Sequence, residues 1–129
     1  HVGQSDCSIQ QARAILGKSA CIGVSAHNLE EARMAQQGGA DYIGCGAVFG
    51  SATKQDATPL SRETLRTICQ GVSIPMVAIG GITAQNVQQL AGSGIQGIAV
   101  VSAIFGQPDK TEAARQMHQL ANQICGGAQ

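Results

Sequence analysis

The apolar and polar positions form two kinds of segment along the chain. Four largely apolar runs cover positions 20–24, 41–45 (which begins with Asp41), 74–79 and 97–101. Each run has the length of a buried strand, and the segments between them have helical periodicity and helix-capping residues. Strands that alternate with helices, and that are largely apolar, predict an α/β protein whose strands run parallel and are covered on both sides.

Helices are predicted in the segments between and after these runs. They cover positions 9–16, 29–37, 61–71, 84–91 and 111–125. Asp6 or Ser8 can cap the first helix, Asn28 the second, and Thr83 the short helix after the third strand. Glycines follow most of these segments, as expected where a helix ends.

The pattern also predicts which side chains are buried. Ile15 and Leu16 share a face of the first helix with Ile9 and Ala12, so we expect all four to pack inward. Cys21 and Cys45 lie within strand runs, where a free cysteine acts as a small hydrophobic residue.

Small and polar residues follow each of the four apolar runs. Ser25 and His27 follow the first, the segment 46–57 the second, a Gly80–Gly81 turn the third and Ser102 the fourth. The carboxyl ends of parallel strands meet at one edge of a sheet, where α/β proteins bind their ligands. The sequence therefore predicts a binding site at this edge.

The segment after the second strand has the composition of a phosphate-binding loop. Its glycines let backbone N–H groups approach an anion, Ser51 and Thr53 add hydroxyl groups, and Lys54 adds a mobile positive charge. Gly-Ser-Ala-Thr-Lys is not a P-loop motif, so an ordinary solvated loop with one surface lysine is the alternative interpretation.

Composition excludes several classes of function. The chain has 129 residues, a net charge of zero, two phenylalanines, one tyrosine and no tryptophan. A chain with no net charge and almost no aromatic residues is poorly suited to binding nucleic acid or an anionic membrane. No apolar run approaches the roughly 18 residues of a membrane span, and no signal-like segment opens the chain, so we expect a soluble cytoplasmic protein.

The five cysteines indicate neither a disulfide framework nor a zinc site. They are odd in number, far apart and without a Cys-x-x-Cys pair. A catalytic cysteine is also not expected, since none has a recognisable base partner.

The chain opens with His1 rather than Met, and its first residues have the pattern of a strand end followed by a loop. We therefore expect that residue 1 is not a native amino terminus. Four strand-helix units, with a faint internal repeat between positions 39–50 and 94–106, are typical of a (β/α) barrel. A closed eight-stranded barrel usually needs roughly 200 residues or more, so the chain would form only part of one.

Several motifs together resemble those of the thiamine phosphate synthase family. They are Gly-Val-Ser-Ala-His at 23–27, Thr-Lys-x-Asp-Ala at 53–57, Pro-x-Val-Ala-Ile-Gly-Gly-Ile-Thr at 75–83, Val-Val-Ser-Ala-Ile at 100–104 and the opening His-Val-Gly-Gln-x-Asp. The resemblance implies a TIM (β/α)8 barrel, of which this chain supplies about the last four βα units. Residues 1–129 would then be a single partial domain, from the end of strand 4 through the final helix.

The same resemblance implies an activity. The family joins hydroxymethylpyrimidine diphosphate to hydroxyethylthiazole phosphate in thiamine biosynthesis, with Mg2+, and releases pyrophosphate. In its dissociative mechanism the diphosphate leaves first, and the thiazole nitrogen captures the resulting pyrimidine cation. The enzyme must therefore hold two phosphate-bearing substrates together and stabilise the departing charge.

The resemblance also implies roles for individual residues. Asp6 resembles a magnesium ligand, and Ser25 a contact to the diphosphate. Thr53 and Lys54 resemble the pair that holds phosphate and leaving group, with Lys54 as the catalytic residue that neutralises the departing charge. Without the resemblance, Asp6 would be interpreted as a helix cap and Ser25 as a turn residue.

Other positions resemble phosphate contacts. Ser51 stands where the family usually has threonine, which keeps the hydroxyl group. Gly81, Val101 and Ser102 resemble the residues that bind the thiazole phosphate through backbone N–H groups. Otherwise they are a tight turn and a strand end.

Two alternatives to the synthase remain at this stage. His27 resembles an acid-base residue of the related thiazole tautomerases, although synthases often carry it as well. A truncated phosphate-binding module without turnover is the other alternative. The family's pyrimidine-binding segment and its Asn-Asp metal pair belong to strands that the sequence does not contain, so we expect the 129-residue segment to be inactive alone.

Overall fold

The computed structural model describes residues 1–50 and 60–125 as an α/β fold. Its strands are β1 (Gly23–Ala26), β2 (Tyr42–Cys45), β3 (Met76–Ile79) and β4 (Gly97–Ala99). Its α-helices are α1 (Ile9–Leu16), α2 (Leu29–Gln37), α3 (Arg62–Gly71), α4 (Ser102–Phe105) and α5 (Lys110–Ile124), and a 3₁₀ helix covers Val87–Leu90.

The four strands form one parallel sheet in sequence order, β1-β2-β3-β4. Val2 adds an isolated parallel bridge to Val24 at the free edge of β1. The predicted parallel pairing and strand order are confirmed. All four strands therefore end at the same edge of the sheet, which is called the carboxyl edge below.

The two faces of the sheet differ in burial. One face carries buried apolar side chains, among them Ile43 and Met76, which join the helices in a single hydrophobic core. The opposite face carries Ser25, Tyr42 and Val77, which are half-buried, and Ile79, which is exposed. The expectation that both faces are covered is therefore wrong for one face of the described sheet, which is called the open face below.

The helices begin where the sequence places capping residues. Ser8 caps α1, and together with Gln11 it forms a capping box in which each side chain accepts a hydrogen bond from the other's backbone N–H. The cap of α1 is thus Ser8 and not Asp6. Asn28 and Asp109 accept in the same way at the starts of α2 and α5.

Three apolar side chains expected in the core are exposed. Ile15 and Leu16 are 79% and 58% exposed, because only the first turns of α1, with Ile9 and Ala12, reach the core. Cys21 is also exposed; it lies before β1, next to the buried Ile22.

The elements after β3 are shorter than predicted. The expected helix over 84–91 is reduced to the 3₁₀ turn Val87–Leu90, which follows Asn86 and has no side-chain cap among the described residues. The Thr83 hydroxyl, expected to cap a helix, accepts from the N–H groups of Gln85 and Asn86 in the turn before it. Strand β4 has three residues instead of five, and the segment beyond it turns into α4. Within the described ranges, no helix is both long and apolar enough to cross a membrane.

Candidate functional site

The candidate residues that the structure describes lie at or beyond the carboxyl edge of the sheet. Ser25 is the third residue of β1, so it belongs to the strand and not to the turn after it. His27 follows β1, Gly81 follows β3, and Ser102 begins the helix after β4. The structure thus places these four residues at the same edge of the sheet, as the sequence predicts.

Ser25 is held by hydrogen bonds at three of its groups. Its backbone N–H donates to the Val2 carbonyl at 3.0 Å, and its own carbonyl accepts from the Gln4 side-chain amide at 2.6 Å. Its Oγ lies 2.8 Å from Nε2 of His1. The first four residues therefore fix both the backbone and the hydroxyl group of Ser25.

His1 also contacts Tyr42 on the neighbouring strand. Its Nδ1 lies 3.0 Å from the Tyr42 hydroxyl, and the two ring centroids are 5.6 Å apart. Sequence reasoning did not select either residue for the site. His1 stood in a recognised motif, but its neighbour Tyr42 could be found only from the strand register, which pairs Gly23 with Tyr42 and Ser25 with Gly44.

Asp6 lines a cavity and does not cap a helix. Its Oδ2 accepts from the Gly3 backbone N–H at 2.6 Å. The cavity has a volume of about 310 Å³, and Cys7 and Glu31 also line it. In residues 1–50 and 60–125, no three side chains of the metal-binding types lie together.

The Asp6 carboxylate, in a cavity that Glu31 also lines, is compatible with magnesium. Mg2+ keeps several water molecules and often takes only one or two protein carboxylates together with substrate phosphates. Asp6 has a second oxygen, Oδ1, for which no hydrogen bond to a described residue is found. It could supply one ligand.

His27 is paired with the first turn of α2. The Glu31 carboxylate accepts from the His27 backbone N–H at 2.7 Å and lies 3.0 Å from Nδ1 of its ring. The pair anchors His27 directly beyond β1 and orients the imidazole through Nδ1.

The exits of β2 and β3 are joined by backbone hydrogen bonds. Val48 donates to the Ile79 carbonyl and Phe49 to the Gly80 carbonyl, each at 3.0 Å. Beyond them, Gly50 and Leu60 both donate to the Ala47 carbonyl, at 3.1 Å. These contacts hold the residues that flank the segment 51–59 against the turn after β3. Ser51, Thr53 and Lys54 themselves lie outside the described residues.

The turn after β3 requires glycine for two reasons. Gly80 and Gly81 have φ angles of +107° and +66°, a region that other residues rarely adopt. A Cβ on Gly80 would lie 2.7 Å from the Ala47 Cα, and one on Gly81 would lie 3.1 Å from the Phe49 carbonyl oxygen. Glycine thus allows the two loops to pack closely.

Two backbone N–H groups beyond β3 and β4 have no partner among the described residues. Asn86 donates from its side chain to the Gly81 carbonyl at 2.8 Å, which fixes that peptide. The N–H groups of Gly81 and Ser102 make no hydrogen bond to the residues that the structure describes. Val101, between β4 and α4, is 70% exposed.

A cavity of about 290 Å³ lies between these two exits. Thr83 and Gln85 line it from the β3 side, and Ser102, Gln107 and Gln116 from the β4 side. The lining is neutral and rich in hydrogen-bonding groups, so an anion there would be bound by dipoles and not by a charged side chain.

The cysteines behave as core residues where they are buried. Burial raises the pKa of the Cys45 thiol to about 12 and that of Cys69 to about 11. Neither forms a thiolate readily near neutral pH, which argues against either as a nucleophile.

Comparison with known proteins identifies close relatives. A family model described as thiamine monophosphate synthase matches residues 1–104. The thiamine-phosphate synthase of Ruminiclostridium cellulolyticum is 51% identical over 120 residues, which are 93% of this chain and 57% of that protein. The thiamine-phosphate synthase of Chloroflexus aurantiacus is 49% identical over 123 residues, 95% of this chain and 56% of that protein.

A solved structure has the same fold over nearly the whole chain. The thiamine phosphate pyrophosphorylase from Pyrococcus furiosus superposes with a TM-score of 0.87 at 38% identity, covering 97% of this chain and 59% of that one. The chain therefore spans a little more than half the length of the relatives that it matches.

Proposed function

The chain belongs to the thiamine monophosphate synthase family, and from this premise we propose that it is the carboxyl-terminal part of a thiamine phosphate synthase. The complete enzyme would be a transferase that joins hydroxymethylpyrimidine diphosphate to hydroxyethylthiazole phosphate and releases pyrophosphate. The observation that carries the proposal is the common position of Ser25, Gly81 and Ser102 at one edge of the sheet, in a chain about half identical to synthases.

We further propose that residues 1–129 are one partial TIM-barrel domain that contributes about the last four βα units. The open face supports this, because an uncovered parallel sheet is unusual. The sheet also has two edges, beyond β1 and β4, that a barrel would close. The matched relatives are long enough to supply the remaining units.

The diphosphate substrate would be held between Ser25 and the loop after β2. Ser25 offers a fixed hydroxyl group on the open face. Ser51, Thr53 and Lys54 would complete the contacts, because hydrogen bonds between the exits of β2 and β3 anchor the residues beside them at the carboxyl edge. Lys54 would neutralise the charge that grows on the leaving diphosphate.

Asp6 would bind Mg2+ through its free oxygen, together with substrate phosphate and water. When bound, the cation would offset charge on the diphosphate. The hydrogen bond from the Gly3 N–H orients the Asp6 carboxylate, which lines the cavity.

The thiazole phosphate would be bound by backbone groups. Gly81, Val101 and Ser102 would surround it, with the N–H groups of Gly81 and Ser102 as donors. Binding by neutral dipoles suits this substrate, because its phosphate is retained during the reaction and needs no neutralisation of a developing charge.

The experiment is a synthesis assay on the complete enzyme, meaning residues 1–129 preceded by the amino-terminal portion that the relatives carry. We expect formation of thiamine phosphate from both substrates with Mg2+. Binding of thiazole phosphate without synthesis would instead support the non-catalytic phosphate-binding module. Failure of either substrate to bind would contradict the proposed function altogether.

A further inference from the structure

A chain of hydrogen bonds runs from Tyr42 through His1 to Ser25 across the open face. We propose that Tyr42 and His1 are positioning residues that hold the Ser25 hydroxyl group in the orientation that donates to the diphosphate. The inference rests on the proposed function, in which Ser25 contacts that substrate, and adds the two residues that control it.

The strand register puts all of these residues on one face. Gly23 and Ser25 of β1 pair with Tyr42 and Gly44 of β2, and the bridge between Val2 and Val24 turns His1 toward the same side. Because side chains alternate along a strand, His1 lies above the sheet between Ser25 and Tyr42. Its two ring nitrogens reach one residue each.

Two glycines leave the space that this arrangement occupies. A Cβ on Gly23 would overlap the Tyr42 ring, and a Cβ on Gly44 would lie 2.9 Å from Cε1 of His1. Neither glycine has a positive φ angle, so backbone conformation does not require glycine there. The space for the two rings is therefore the reason for glycine at both positions.

The chemistry of the three groups determines which of them donates and which accepts in each hydrogen bond. A phenol donates readily to an imidazole nitrogen, so the Tyr42 hydroxyl donates to Nδ1 of His1. A neutral imidazole then carries its proton on Nε2 and donates it to Ser25 Oγ. With its oxygen already accepting, the Ser25 hydroxyl keeps its own proton for an acceptor on the open face.

This order of donors and acceptors suits an anionic ligand. A diphosphate oxygen can only accept, so a serine hydroxyl that itself donated to His1 would have no proton to offer. The backbone hydrogen bonds to Val2 and from Gln4 fix the serine further. Ser25 is then a donor already oriented before the substrate arrives, which lowers the entropy lost on binding.

The test is a double-mutant cycle on the complete enzyme with Tyr42→Phe and Ser25→Ala. We expect Tyr42→Phe to raise KM for hydroxymethylpyrimidine diphosphate roughly 2- to 10-fold, the range for one neutral hydrogen bond. KM for thiazole phosphate should not change. In the Ser25→Ala background, Tyr42→Phe should have no further effect, because the residue through which it acts is absent.

His1 gives a matched pair of variants. The amide nitrogen of His1→Gln can donate to Ser25 much as Nε2 does, whereas His1→Ala cannot. We expect His1→Ala to raise KM for hydroxymethylpyrimidine diphosphate and His1→Gln to raise it much less. An equal rise in KM in the two variants would overturn the proposed role of His1.

Two readouts separate this inference from the proposed function. The ¹⁵N chemical shifts of the His1 ring report its tautomer without turnover, and we expect the proton on Nε2. Calorimetry should show that Tyr42→Phe weakens the binding of inorganic pyrophosphate in the presence of Mg2+, whether or not the enzyme synthesises thiamine phosphate. Weakened pyrophosphate binding without synthesis would contradict only the synthase assignment. A proton on Nδ1, or additive effects of Tyr42→Phe and Ser25→Ala, would overturn the inference while leaving synthesis intact.

Discussion

The Tyr42 ring lies directly over Gly23, its partner in the register of β1 and β2. Gly97 also lies within a strand, but a Cβ there would meet only Val77 Cγ2, at 3.6 Å, an ordinary van der Waals contact. The two glycines therefore differ in the space above them, and this difference can be measured.

Gly23→Ala should destabilise the protein by about 1–3 kcal/mol, the usual effect of overpacking, or displace the Tyr42 ring. Gly97→Ala should change the free energy of unfolding little, or raise it slightly by restricting the unfolded chain. Urea denaturation of both variants compares them. Equal stabilities would mean that the Tyr42 ring can move aside freely.

Lys54→Ala in the complete enzyme should slow the chemical step roughly 100-fold or more, as expected for loss of one preorganised electrostatic contact. Substrate affinity should fall less, because the charge on the diphosphate grows as the bond breaks. Single-turnover kinetics measures both, and Lys54→Arg should recover only part of the rate.

The matched control is Lys18→Ala, which removes an exposed lysine from the turn before β1. Its chemical step should be unchanged. If Lys54→Ala behaved like Lys18→Ala, Lys54 would be an ordinary surface lysine.

Asp6→Asn should raise the Mg2+ concentration needed for half-maximal synthesis roughly 10-fold or more. Even the loss of a residue that only hydrogen-bonds to a metal ligand can weaken metal binding by this factor. Thermal stability should stay the same, since Ser8 and not Asp6 caps α1. Titration of activity with Mg2+ gives the first quantity and a melting curve the second. A lower melting temperature with unchanged Mg2+ dependence would assign Asp6 a structural role.

Asp41 should make the protein sensitive to acid. The Ile22 backbone N–H and then the Arg13 guanidinium hold the pKa of its carboxyl below the ordinary 3.8. A lowered pKa in the folded state stabilises the protein at pH values above 3.8, and this stabilisation disappears as the pH falls through the lowered value.

The stability of Asp41→Asn should therefore depend less on pH below about 4 than that of the unsubstituted protein. Arg13→Met should retain part of the dependence, because the Ile22 N–H still donates to the Asp41 carboxylate. Urea midpoints between pH 3 and 7 measure both variants. Identical pH dependence with and without the Asp41 carboxylate would contradict the role of this pair.

His27→Gln should leave the rate of synthesis nearly unchanged if Glu31 merely anchors His27 at the start of α2. Solvent-deuterium incorporation into a thiazole substrate tests the tautomerase alternative in the same samples. Loss of such exchange in the variant, with synthesis absent throughout, would favour the tautomerase.

The sequence by itself determined the features that depend on near neighbours. Alternating apolar runs and helical segments predicted a parallel α/β sheet, and the caps at Ser8 and Asn28 were found where helices begin. The Gly80–Gly81 turn was also predicted. These features arise from local hydrogen bonds and from the spacing of apolar residues, both of which can be identified within a few positions of the chain.

Only the tertiary structure decided which residues meet across the sheet. Ser25 and His1 are 24 positions apart, and Tyr42 and His1 are 41 apart. Their contacts depend on strand register, because a shift of one residue would move each side chain to the opposite face of the sheet. The exposure of Ile15 likewise depends on how far α1 extends over the core, a long-range property that the helical period of the sequence does not contain.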